Sequence, residues 1–248
     1  MNFIKRIDYF ELIKKEGVLS RTLHIMAGII SSAFLFTNSI ICVPLLMPPA
    51  LLKLILPLGP IKKICTRINI IISVIWITNN SFLFTRILGL RIKTDGEEKL
   101  SMDEWYMVIS NHQSWIDIIA LQTVFNRKIP FLKFFIKKEL IWVPVMGAAW
   151  WALDFPFMKR YSPEFLAKNP HLKGKDIEIT RIACSKFKTM PVSIMNFVEG
   201  TRFSSDKHYR QSSPYNNLLK PKAGGTGFVL TIMGEQINSI LNITIKYT

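Results

Sequence analysis

An uncharged run restricts the folding of this chain most: residues 22–52 contain no Lys, Arg, Asp or Glu, and residues 22–43 contain no proline either. As a helix rising about 1.5 Å per residue, the proline-free part spans roughly 30 Å, the thickness of a bilayer core. Pro44, Pro48 and Pro49 are expected to end it, since proline has no N–H to continue the hydrogen-bond ladder. The run is too long, and begins too late, for the apolar segment of a cleaved signal peptide, so a retained membrane helix is expected. A second apolar stretch, residues 61–88, follows Gly59-Pro60 and stops at Gly89; within it Thr66, Asn69, Ser73 and Asn80 recur at spacings of three, four and seven. Lipid disfavours such a polar stripe, which predicts packing on the first helix or a seat in the headgroup layer. Lys53, Lys62 and Lys63 in the connection, with basic residues at both ends, give no positive-inside asymmetry. Two full crossings and a re-entrant or monotopic pair are both compatible with this pattern, as are two buried helices of a soluble protein.

The 248 residues suffice for one sizeable α/β domain beside that helix pair. The chain is 49% hydrophobic yet carries a net charge of +15, a combination that points to a membrane surface or anionic substrates. Nucleic acid is not an expected partner: no nucleic-acid motif occurs, and the basic residues flank apolar segments. Cys42, Cys65 and Cys184 are too scattered for a disulfide framework or zinc spacing. His24, His112, His171 and His208 form no metal-ligating pair, so no metal site is expected.

Three parts are expected along the chain: a basic N-terminal segment (1–21), a membrane-associated helix pair (22–90) and a globular domain (91–248) that opens with a polar linker turning at Asp95-Gly96. In the domain, strands are expected near 104–110, 129–131, 153–158, 192–198 and 241–247, and helices near 115–126, 176–188 and 225–233. Alternating strand and helix implies a mostly parallel sheet flanked by helices.

Chemistry concentrates where the first of these strands gives way to a helix, at Asn111-His112-Gln113-Ser114-Trp115-Ile116-Asp117. On one continuous helix, His112 and Asp117 would point roughly 140° apart, so a shared role needs a bend between them. Ser114 supplies it as an N-cap, with Asp117 three residues on in a capping-box-like position. Asp117 could then reach back to one imidazole nitrogen and leave the other as a base. The same residues also make an ordinary capped turn with a satisfied loop histidine, and spacing alone does not separate the two.

Three more places follow a strand or precede a helix. Phe197-Val198-Glu199-Gly200-Thr201-Arg202 runs from an apolar strand into an acid, a flexible glycine, a hydroxyl and a guanidinium; the last two suit phosphate oxygens. Phe157-Met158-Lys159-Arg160 ends a strand in a basic pair, and Lys220-Pro221-Lys222 precedes a glycine-opened helix. Each alone is more often a solvated surface feature, but a parallel sheet could gather them at one edge.

Taken together, these residues resemble the glycerolipid acyltransferases, the lysophosphatidate (1-acylglycerol-3-phosphate) acyltransferases and their relatives. Asn111-His112-x4-Asp117 matches the family's first motif, Gly147 through Phe157 to Arg160 resembles its second, and Phe197 to Arg202 matches its third, in the same order and spacing. The stretch from Trp142 to Arg160 and the Leu219-Lys220-Pro221-Lys222 element look most like the bacterial branch related to lysocardiolipin-type enzymes. The resemblance implies a membrane-bound enzyme with His112 as general base and Asp117 orienting it. Glu199, Gly200, Thr201 and Arg202 would form the acceptor's phosphate site, with Arg160 and Lys222 adding charge. It further implies acyl-CoA or acyl-carrier protein as co-substrate, phospholipid and lysophospholipid partners, no cofactor, and a place on the cytoplasmic side of a bacterial inner membrane. N–H groups at the Ser114 helix start are the expected oxyanion donors. Two departures stand out. The family's fourth, proline-containing strand corresponds here to Leu241-Asn242-Ile243-Thr244-Ile245-Lys246-Tyr247, without proline, and the chain stops at Thr248, so the domain is expected to lack its C-terminal end. A catalytically silent homologue that binds anionic lipid is the alternative. A lipase or thioesterase is disfavoured, because no Gly-x-Ser-x-Gly elbow occurs.

Overall fold

The computed structural model describes residues 2–9, 18–96, 99–158 and 190–247, with Lys168, Asn169, Glu178, Arg181, Ile182, Cys184, Ser185 and Phe187 between the last two spans. Arg160 and most of the helix expected at 176–188 lie outside the described residues.

The architecture is α/β. Strands β1 (Asn2–Tyr9), β2 (Ile92–Lys93), β3 (Tyr106–Ser110), β4 (Leu132–Phe134), β7 (Ser193–Phe197) and β8 (Ser239–Tyr247) form one sheet in the order β2-β1-β8-β3-β7-β4. All its pairings are parallel except β1 with β2. Strands β5 (Ile136–Lys137) and β6 (Phe157–Met158) pair separately, also in parallel. The middle of the sheet is buried on both faces, which explains why β3 reads as a nearly continuous apolar run rather than an alternating one. Tyr106 and Val108 pack with Ala120, Leu121 and Phe125 of helix α3 (Ile116–Phe125). Between them Met107 turns the other way, onto Val229 and Met233 of a helix at Ala223–Met233. Strand β8 keeps the two-residue period, with Leu241, Ile243 and Ile245 buried and Asn242, Thr244 and Lys246 exposed.

Two long helices precede the domain: α1 (Val18–Ile55) and α2 (Gly59–Phe82), the latter ending in a π-helical turn at Leu83–Ile87. Both are long and apolar enough to cross a membrane by length and composition. Contrary to expectation, the three prolines do not end α1; the helix continues through Pro44, Pro48 and Pro49. Packing compensates for the missing N–H donors, because Cys42, Val43, Leu46 and Ala50 on this segment form a core with Trp76 of α2 and with Ala149 and Ala152 of helix α4 (Met146–Ala152). The polar stripe of α2 faces protein. Asn69 donates to the Ala152 carbonyl at 3.0 Å, Ser73 is buried, and Asn38 of α1 donates to Asn80 at 2.8 Å. Farther along, Thr78 accepts from Asn126 at 2.9 Å and Ser81 pairs with Thr123 of α3 at 2.9 Å.

One strand was not expected, and two expected strands are shifted or shortened. The N-terminal basic segment contains β1, paired with β8 from Asn2↔Ile240 to Tyr9↔Tyr247. The strand expected at 129–131 begins at Leu132, because Arg127 adopts a left-handed φ of 63° and the turn it makes runs on through Pro130. The strand expected from 153 shrinks to Phe157–Met158, since Asp154 is also left-handed (φ 56°) and Pro156 follows.

Candidate active site

Parallel strands direct the loops at their C-terminal ends to one edge of the sheet, and three functional stretches meet there. The loop after β3 carries His112. That after β7 carries residues 198–203, and the backbone ties them together: Val198 N–H donates to the Ser110 carbonyl at 3.1 Å, and Phe203 N–H to the His112 carbonyl at 2.7 Å. The third stretch joins when Lys222 N–H donates to the Val198 carbonyl at 2.7 Å.

The chain bends at Ser114 as expected, but Trp115, not Ser114, stands at the N-cap of α3 and makes no side-chain cap bond. Ser114 Oγ accepts the Ile116 N–H at 3.3 Å, while Asp117 Oδ2 accepts the Ser114 N–H at 2.9 Å and the Gln113 N–H at 2.6 Å. The same oxygen lies 2.9 Å from His112 Nδ1, and the other carboxylate oxygen accepts the Tyr247 hydroxyl. Asp117 is 0% exposed. Burial alone would push its carboxyl up, but hydrogen bonds from His112, Tyr247 and the Ser114 and Gln113 amides outweigh burial and hold it below the usual carboxylate range. An ionised, hydrogen-bonded Asp117 requires a proton on Nδ1 of neutral His112, which leaves Nε2 as the basic nitrogen. The imidazole stacks on the Phe197 ring, with centroids 3.8 Å apart at 12°, and 12% of its side chain is exposed. No hydrogen bond to Nε2 forms among the described residues. These contacts fix ring and tautomer while the reactive nitrogen stays open.

Glu199 has a different place from the other motif residues. It is 1% exposed, and its two oxygens accept the backbone N–H groups of His112 and Leu219, each at 2.8 Å. It therefore clamps the His112 loop to the chain leading into Lys222. Gly200 follows at φ +69°, where a Cβ would stand 3.3 Å from Lys222 Cδ, so the lysine side chain lies directly over it. Thr201 Oγ1 accepts Lys207 Nζ at 2.8 Å, and Lys207 also donates to the Arg202 carbonyl at 3.0 Å. Arg202 stacks over the Trp115 ring at 4.4 Å, with Trp115 just before α3. Arg202, Lys207 and Lys222 thus supply cations around Gly200 and Thr201, beside His112.

The expected oxyanion donors need correction. Gln113 and Ser114 N–H groups are taken by Asp117, and Ile116 N–H by Ser114; Trp115 N–H makes no hydrogen bond among the described residues. Four further residues contribute. Tyr247 and Lys207 carried no local signal. Phe197 and Asn111 stand in the motif stretches, but the sequence assigned them no role. Asn111 pairs through its side-chain amide with both backbone groups of Ile245, at 2.9 and 2.7 Å, and so continues the β3–β8 pairing past the strand end. Among the described residues, no three His, Cys, Asp or Glu cluster as metal ligands do.

The Acyltransferase family model matches residues 91–233. Mouse 1-acyl-sn-glycerol-3-phosphate acyltransferase alpha is 27% identical over 117 residues, covering 47% of this chain and 36% of the mouse protein. The 1-acyl-sn-glycerol-3-phosphate acyltransferase of Saccharomyces cerevisiae is 32% identical over 129 residues, covering 51% and 38%. An uncharacterized acyltransferase of Schizosaccharomyces pombe is 30% identical over 125 residues, covering 50% and 40%. The chain spans about two fifths of the length of these relatives.

Proposed function

The chain belongs to the acyltransferase family, and from that premise we propose that it moves a fatty acyl group from acyl-CoA or acyl-carrier protein to the free hydroxyl of a lysophospholipid, most naturally lysophosphatidate. One observation carries the reading: a histidine oriented by a buried carboxylate, its other nitrogen open, stands beside three cations. In this mechanism the acceptor's phosphate sits among Arg202, Lys207 and Lys222, which brings its hydroxyl to His112. Nε2 takes the hydroxyl proton as the oxygen attacks the thioester carbonyl. The tetrahedral intermediate collapses with loss of thiolate, which receives that proton from the imidazolium. A positioned base of this kind contributes ~10² to 10⁴ in rate. Trp115 N–H is an available donor for the oxyanion. Glu199 acts through backbone, as a positioning residue.

The helix pair supports membrane attachment. Along α1, Leu23, Ile25, Ile29, Ile30 and Phe36 are 57–65% exposed, a continuous apolar face that water does not favour. Because α2 binds the domain from Asn69 to Ser81, we assign the pair to one leaflet rather than to two crossings. Both acyl donors are cytosolic molecules in a bacterium, so the domain would face the cytoplasm from the inner membrane.

The test is acyl transfer from labelled acyl-CoA and acyl-carrier protein to a panel of lysophospholipids by the full chain in detergent or lipid. Transfer to lysophosphatidate, weakened in Arg202→Ala mainly through KM for phosphate-bearing acceptors, is the expected result. No transfer with any pair would discard the reading and leave lipid binding alone.

A further inference from the structure

A second concave site lies at the opposite end of the sheet from His112. Phe131 and Lys133, where β4 begins, and Val192, just before β7, line a cavity of about 640 Å³ that is closed on its other side by the α1–α2 connection. Val192 is five residues upstream of Phe197, the ring on which His112 stacks. In an extended strand that distance is roughly 17 Å. The cavity is therefore not part of the acceptor site described above, and its size falls in the usual range for a ligand pocket of about 300–1,000 Å³.

Its chemistry is two-sided. Ile70, Phe131, Phe155 and Phe157 give it an apolar wall, whereas Lys53, Lys62, Lys63 and Lys133 bring four cations against one carboxylate, Asp154. These cations are not equivalent. Lys53 forms an ion pair with Asp154 and donates to the Ala152 carbonyl at 3.0 Å, which binds α1 to the domain. Lys133 is buried, donates to the Leu153 carbonyl at 2.8 Å and lies 4.6 Å from the centre of the Phe187 ring. The ammonium groups of Lys62 and Lys63, in the first turns of α2, make no hydrogen bond or ion pair among the described residues. Helix α2 also opens there without a side-chain cap, so the positive end of its dipole adds to the two ammonium groups. Two unneutralised cations at the mouth and an aromatic wall behind them suit a molecule with an anionic head and an apolar tail. Exposed Leu54, Leu56 and Leu58 beside the mouth supply the apolar approach by which such a molecule would arrive from lipid.

We propose that this cavity is a binding site for an anionic phospholipid, its phosphate held by Lys62 and Lys63 and its chain against the phenylalanine wall. Such a lipid would join the helix connection to the domain and fix their depth at the headgroup layer. The site does not depend on the acyl-transfer reading, and the results expected of it are all read from binding.

The full chain in phosphatidylcholine nanodiscs is titrated with soluble dihexanoyl phosphatidate, dihexanoyl phosphatidylcholine and inorganic phosphate, with Trp151, which lines the cavity, as one fluorescent reporter. Saturable binding of the phosphatidate, at least about tenfold tighter than either of the others, is expected. Lys62→Glu with Lys63→Glu should weaken it about tenfold or more. Lys138→Glu, at a lysine outside the cavity, should leave it within about twofold. Ile70→Trp, which fills the apolar wall, should weaken phosphatidate as well. Inorganic phosphate binding as tightly as phosphatidate would overturn the proposal, as would the absence of saturable binding. Ile70→Trp shifting the preferred acyl length in transfer, with phosphatidate binding unchanged, would give the cavity to the donor's acyl chain and equally overturn it.

Discussion

Replacing Glu199 by Gln separates two roles that the third motif leaves open, a direct hold on the acceptor and a clamp on the His112 loop. The carboxylate accepts one backbone N–H on each oxygen, from His112 and from Leu219, in a site that is 1% exposed. Glutamine keeps one acceptor and presents an NH₂ group to the other N–H, so one charge-assisted bond is lost and a buried donor is left unpaired. Bonds to charged groups contribute ~1.5–3 kcal/mol and an unsatisfied buried donor costs ~1–3 kcal/mol, largely the same loss counted two ways, so roughly 2–3 kcal/mol is expected. At about 2–4 °C per kcal/mol for a chain of this size, Tm falls by roughly 4–12 °C. With His112 displaced, kcat should drop roughly ten- to hundredfold while KM for the lysolipid stays within about twofold. Thermal unfolding and steady-state acyl transfer on the same preparation provide the check. A Tm within about 1 °C of wild type, together with a several-fold rise in KM for phosphate-bearing acceptors, would refute the clamp and put Glu199 on the acceptor.

Two further outcomes follow from the same geometry. The Asp117 carboxyl is held below its ordinary value in the folded protein, so its contribution to stability is complete above that value, ~3.9, and is lost as pH falls through the lower folded value. Denaturant unfolding from pH 6 to pH 2 should show this acid loss in wild type and a flatter profile in Asp117→Asn; parallel profiles would contradict it. Gly200→Ala places a methyl 3.3 Å from Lys222 Cδ at a φ of +69°. It should cost ~1–2 kcal/mol in chemical denaturation and raise KM for phosphate-bearing acceptors by moving Lys222; unchanged stability and KM would count against that placement.

The legible part of the site was its local part. His112, Ser114 and Asp117 lie within six residues, so a bend was enough to bring carboxylate and imidazole together. The parallel sheet was legible as well, because β3 and β7 are short apolar runs followed by polar turns. What sequence could not supply was closure over distance. Glu199 reads as a phosphate ligand beside Gly200 and Thr201, yet its partners are amides 87 residues before and 20 residues after it. Tyr247 reaches Asp117 across 130 residues, and only the register of β8 beside β3 brings it there. The prolines of α1 misled for a related reason: proline weakens a helix locally, but burial of Leu46 and Ala50 against α4 and Trp76 is a tertiary term that outweighs it.

His112 as the base is the centre of the mechanism, and the measurement that tests it most directly is single-turnover acyl transfer by wild type and His112→Ala under saturating donor and lysophosphatidate. His112 touches the fold through its backbone, the Phe197 stack and the Nδ1–Asp117 bond; without the ring Asp117 still accepts from Tyr247, Ser114 and Gln113, so His112→Ala should keep its secondary structure by circular dichroism. The predicted result is a loss of at least ~10² in the transfer rate, the contribution of a positioned general base. A folded His112→Ala that transfers acyl groups within about tenfold of wild type would contradict the mechanism.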